Sequence, residues 1–144
     1  MKIIISILFI LVPLLIADGH SSELKMKILH NICSGVKNEK HMKVWSDNQK
    51  IIDSFKKLGG LNISKSFKDA QLIVLNNKSN LLKNSIDKHI FVLDYDLLEE
   101  IPNSFGAFFW KKGRPNIVFI KPRLEEQSLR LSTTLQPYIE EKIW

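Results

Sequence analysis

Gln71-Leu72-Ile73-Val74-Leu75 and His89-Ile90-Phe91-Val92-Leu93 are the two stretches that decide the fold class. Each is a nearly continuous apolar run, short for a helix and typical of a strand buried on both faces. Asn76 to Ser79 has the composition of a turn, and a weak helical segment around residues 80–86 leads into the second run. The two runs are therefore expected to lie parallel, joined by a right-handed crossover, with Leu72, Val74, Phe91 and Leu93 in the core.

Upstream, Leu24, Ile28, Leu29, Ile32, Cys33 and Val36 recur at the spacing of one buried helical face. A short strand within 41–46 follows. Ser46 and Gln49 have capping-box spacing ahead of Ile51, Ile52, Phe55 and Leu58, and Gly59-Gly60 stops that second helix. Residues 61–67 read as an edge strand. Downstream, Tyr95 to Ile101 reads as a short helix halted by Pro102. Gly106 to Trp110 and Asn116 to Lys121 then form the clearest hairpin in the chain, around Lys111-Lys112-Gly113-Arg114-Pro115. The chain closes with the segments 123–130 and 132–144, the latter expected to be a helix with Leu135, Ile139 and Ile143 on one stripe and Pro137 near its first turn. The expected architecture is one small α/β domain, with a central mixed sheet flanked by helices and a C-terminal β-hairpin and helix.

The N-terminus sets the expected compartment. Lys2 precedes an apolar run from Ile3 to Ile16, after which the chain turns polar at Asp18, Gly19, His20, Ser21 and Ser22. This is a signal-peptide profile over residues 1–19, with cleavage expected after Gly19 or, second, after Ala17. Residues 20–144 are then a single exported, periplasmic domain. An uncleaved membrane anchor is the alternative, although only one positive charge precedes the run and Pro13 interrupts it. Cys33 is the only cysteine, so no intramolecular disulfide can form and stability must come from packing.

Little in the chain points to catalysis. Asp94, Asp96, Glu99 and Glu100 form its densest acidic cluster, and Asp94 directly follows a buried strand, where α/β sheets place ligand contacts. An Asp there also commonly caps the next helix, so Asp94 and Asp96 are kept only as an alternative ligand-binding pair. His20, His30, His41 and His89 are scattered, no nucleophile has a neighbouring base, and no phosphate-binding glycine loop is present. No enzyme activity, metal or cofactor is expected. With 21 basic against 15 acidic residues the charge is modest for nucleic-acid binding, which export also disfavours. The remaining concentration of functional residue types is the hairpin, where Trp110 adjoins Lys111, Lys112 and Arg114. Large aromatics beside cations are enriched at binding hot spots, so these four residues are the expected partner-binding surface.

The order of these elements, with Phe105-Gly106-Ala107-Phe108-Phe109, then Asn116-Ile117-Val118-Phe119-Ile120 and Leu131-Ser132, resembles the YfiR-type periplasmic regulators. The resemblance runs in order over most of the chain after the signal segment. It rests on a late glycine-containing strand, a hairpin of alternating apolar residues and a Leu/Ile-Ser segment before the last expected helix. The aromatic-Trp-Pro segment usual after that family's first helix is absent, and a lone Cys33 departs from members able to form disulfides. The resemblance implies a regulator that restrains a membrane-bound diguanylate cyclase by binding its periplasmic sensor portion. The runner-up is a small periplasmic solute-binding module with a pocket near Asp94.

Overall fold

The structure, a computed structural model, describes residues 22–83 and 85–144, so the expected signal segment lies outside the described residues. Helix α1 (22–35) opens the described chain and runs into strand β1 (Val36–Lys37). Next come β2 (Val44–Ser46), α2 (Gln49–Leu58), β3 (Leu72–Leu75), β4 (His89–Val92) and α3 (Leu97–Glu100). The hairpin strands β5 (Ser104–Lys111) and β6 (Arg114–Ile120) follow, then α4 (Lys121–Glu126), β7 (Arg130–Leu131) and β8 (Ile139–Glu140). Six strands form one mixed sheet in the order β2-β3-β4-β5-β6-β8. β2 to β5 are mutually parallel, β6 is antiparallel to β5, and β8 is parallel to β6. β1 and β7 make a separate antiparallel ribbon.

All four residues of β3 are buried because both faces of the sheet are covered. Strand alternation sends Leu72 and Val74 into a cluster with Leu29 and Ile32 of α1 and Ile51 and Phe55 of α2. Ile73 and Leu75 enter the opposite cluster with Ile90, Val92, Leu98 and Ile101. Leu72, Val74 and Phe91 thus lie in the core as their sequence pattern requires, while Leu93, just past β4, is half-buried.

A bulge between β4 and β5 organises the first cluster. Ile90 pairs with Ser104 but Phe91 pairs with Gly106, leaving Phe105 as the extra residue. Gly106 also faces Phe119 across the hairpin, so it lies between two phenylalanines on neighbouring strands. A Cβ at Gly106 would meet the Val118 carbonyl at 2.6 Å and the Phe119 ring at 2.8 Å. Into the space it leaves, Phe91, Phe105 and Phe119 converge with ring centroids 5.7 to 6.3 Å apart.

One guanidinium ties the helix after β4 to the rest. Arg123 Nη1 donates to the carbonyls of Leu98, Ile101 and Ser104 at 2.7, 3.3 and 2.8 Å, satisfying acceptors at the end of α3. Burial pulls its pKa below the usual arginine value, an effect that nearby Glu126 opposes.

Several expected elements take another form. The second helix is capped by Asn48, whose side chain accepts from the Lys50 amide at 3.0 Å; Ser46 is still in β2, and its hydroxyl accepts from the Asn48 amide. Residues 61–67 contribute a single parallel bridge, Ile63 to Val44, before the Ser64 hydroxyl turns the chain by donating to the Ser66 carbonyl. Among the described residues of 80–86 there is no helix, and the 3₁₀ turn Lys78–Asn80 precedes them. Leu82 and Ile86 stay 55% and 91% exposed, and only Leu81 packs on the core, which is too little burial to support a helix there. The Asp47 carboxylate instead holds that loop, accepting from the Asn76 and Asn77 amides at 2.7 and 2.9 Å.

The segment after the hairpin, for which the sequence predicts no element, forms α4 and ends at Glu126. Residues 132–144 are not helical: they form a 3₁₀ turn, Gln136–Tyr138, and then β8. A helix would place Leu135, Ile139 and Ile143 on one stripe. In the fold Leu135 and Ile139 pack on one side of the sheet and Ile143 on the other, as an extended segment crossing the sheet edge permits.

Replacing Gly106 by Ala should destabilise the domain by about 1 to 3 kcal/mol, because the nearest neighbour is a backbone carbonyl that cannot turn aside. Phe91→Ala should cost about 3 to 5 kcal/mol. Urea melts followed by far-UV circular dichroism measure both.

Candidate protein-binding site

The hairpin is tighter than its sequence implies. Lys111 pairs with Arg114 and Trp110 with Pro115, so only Lys112 and Gly113 remain as the turn. Both have positive φ, 53° and 73°, the signature of a type I′ turn, whose twist matches that of the flanking strands. Asparagine and glycine favour this conformation and lysine does not, so Lys112 sits where a side chain is held at some strain.

The tip gathers the residues expected to bind a partner. Lys111, Lys112, Arg114 and Asn116 line one open depression of about 410 Å³. The ion pairs among the described residues are Lys27 with Glu23, Lys78 with Glu100 and Lys121 with Glu141, so none engages the three tip cations. Trp110 is 43% exposed and stands edge-on to buried Phe108, centroids 5.8 Å apart. Its base is fixed and its outer edge is open to solvent.

On the other face of the hairpin Phe109 packs edge-on against Tyr95 at 5.0 Å. The Tyr95 hydroxyl accepts from the Trp144 amide at 2.8 Å and donates to the Trp144 carbonyl at 3.0 Å, and Lys142 Nζ lies 4.3 Å from the centroid of the exposed Trp144 ring. A groove of about 500 Å³ runs between Tyr95, Trp110, Asn116, Val118 and Trp144. Asn116, Tyr95 and Trp144 were not singled out in the sequence. Alternation along the hairpin could have marked Asn116, but Trp144 joins only because the C-terminal segment folds back across the sheet.

Asp94 and Asp96 lie elsewhere. Asp94 Oδ1 accepts from the Asp96 amide at 3.2 Å, which uses it to shape the entry to α3, and Asp96 is exposed. At the same ends of the parallel strands Glu100 is held by Lys78, so the acidic cluster is divided among separate tasks. No group of three or more His, Cys, Asp or Glu side chains is placed to hold a metal ion among the described residues. His30 Nε2 lies 2.7 Å from the Gly59 carbonyl, and His89 sits between Asn38 and Gln127. Cys33 is buried, and desolvation pushes its thiol pKa up to about 12.

No protein-family model, curated protein or solved structure significantly matches this chain.

Lys112→Asn should raise stability by about 0.5 to 1 kcal/mol, and Gly113→Ala should lower it by about 1 to 2, as thermal melts would register. Cys33 should resist alkylation at pH 8 in the folded protein and react at once in denaturant, as mass spectrometry would show. Since the folded thiol holds its proton above the pH at which the unfolded one loses it, Cys33 lowers stability progressively from about pH 9 toward pH 12.

Proposed function

We propose that this protein is an exported, non-enzymatic regulatory domain that binds a membrane sensor protein through Trp110, Lys111, Lys112 and Arg114. The observation that carries this reading is a rigid two-residue turn displaying three cations without ion-pair partners among the described residues, beside a half-exposed tryptophan. Charges so placed steer an acidic partner, and the aromatic supplies desolvated contact area. A lysine held in a left-handed conformation breaks a local preference at the proposed contact, which is where such departures concentrate.

The resemblance to YfiR-type regulators supplies the finer proposal: a periplasmic domain, released by removal of residues 1–19, that restrains a membrane-bound diguanylate cyclase through its periplasmic sensor region. The mixed sheet and its late hairpin are compatible with that reading. Among the described residues no helix is long and apolar enough to cross a membrane, so the proposal has the domain meet its partner at the membrane without spanning it.

The test is capture of membrane proteins by the purified protein and by the triple variant Lys111→Ala, Lys112→Ala, Arg114→Ala. The variant should keep the parent's thermal midpoint and lose capture of a cyclase identified by mass spectrometry. Equal capture by both proteins at physiological salt would overturn the assignment of this surface.

A further inference from the structure

We propose that the outer edge of β6, from Pro115 to Ile117, accepts an extended acidic segment of the protein partner as an added strand. This deepens the preceding reading and rests on it for the existence of a protein partner at the hairpin.

The edge is open by register. A two-residue turn makes Lys111 and Arg114 a hydrogen-bonded pair, and in an antiparallel ladder such pairs alternate with pairs that do not bond each other. Pro115, Ile117 and Phe119 of β6 therefore aim their backbone groups away from β5. β8 pairs with β6 only at Phe119 and Ile120. The chain before β8 turns away, because the Tyr138 amide donates to the Leu135 carbonyl at 3.1 Å. The Ile117 N–H and the carbonyls of Pro115 and Ile117 are left facing outward, with no backbone or side-chain partner among the described residues. Exposed edges invite strand pairing unless something blunts them. Pro115 removes one donor, and half-buried Ile117 keeps its own.

The surroundings fit an extended chain. A strand laid on this edge would point alternate side chains to opposite faces of the sheet. Each face offers a groove: about 540 Å³ beside Ile28, Leu135 and Tyr138 on one side, and about 500 Å³ beside Tyr95, Phe109 and Trp144 on the other. Ile117 lines both. Lys111, Lys112 and Arg114 stand at the free end of the same edge, with Glu140 the one carboxylate side chain among the residues lining these depressions. This excess of positive charge selects an acidic segment over a second copy of the chain, which would bring a further set of these cations onto the same edge.

The test uses the full chain, purified after expression from its complete coding sequence, with a synthetic peptide of alternating glutamate and valine as probe and a lysine–valine peptide as control. Hydrogen exchange followed by NMR should show the Ile117 amide slowed about tenfold or more by the acidic peptide and unaffected by the basic one. Ile117→Pro removes the outward donor without breaking a hydrogen bond to β5, as Pro115 already does two residues earlier, but it also loses a side chain packed on the core, and it should weaken peptide binding about tenfold or more. Ile117→Ala, which loses the same packing but keeps the N–H, should bind more tightly than Ile117→Pro and controls for packing. Membrane capture separates the two readings. Capture lost in the triple cation variant but kept in a folded Ile117→Pro protein would overturn strand addition and leave the hairpin surface standing. Peptide binding through Ile117 without any membrane capture would support the acceptor edge and overturn the cyclase assignment. A dimer that Ile117→Pro dissociates, with no peptide binding, would assign the edge to self-association and overturn the proposal.

Discussion

The fold turns on a missing side chain. Gly106 stands between Phe91 on β4 and Phe119 on β6, and its empty position lets both rings approach Phe105 from the adjoining bulge. Three aromatic rings, each burying a large apolar area, thereby lock the parallel half of the sheet to the antiparallel half. The bulge has a second effect. By adding Phe105 to β5 it lets this ring share a cluster with Phe108, Leu29 and Leu124, so α1 and α4 rest on a surface set by one register shift.

The central sheet was legible because its signal is local and strong. Leu72 to Leu75 and Ile90 to Val92 are apolar at every position, which only burial on both faces explains, and Gly113 with Pro115 supplies turn chemistry between two apolar segments. The misread elements are those decided at a distance. The residues after β3 carry a plausible helix, but Asp47, on another loop, holds the backbone there in a different path. The spacing of Leu135, Ile139 and Ile143 satisfies a helical stripe and equally an extended segment that divides its residues between two faces. Nothing local distinguishes these cases; the available sheet edge beside Phe119 does.

The candidate site divides along the same line. Trp110, Lys111, Lys112 and Arg114 are neighbours in sequence and remain neighbours on the hairpin, so composition alone brought them forward. Tyr95 and Trp144 reach the same region through a hydrogen-bond pair spanning the domain, and Ile117 acquires its role from the shortness of β8. An open edge is a property of what fails to pair, which no local sequence pattern encodes.

Arg123 carries an implication for how the chain comes together in time. The carbonyls of α3 find their charged partner only when α4 arrives, and between the two lies the whole hairpin. The central strands can collapse as soon as they are made, but the Leu98 carbonyl at the end of the helix beside them has no charged partner until α4 is present. Structure that waits on distant sequence forms late. A chain made from its N-terminus would thus keep its middle loosely organised until the C-terminal segment arrives and closes it.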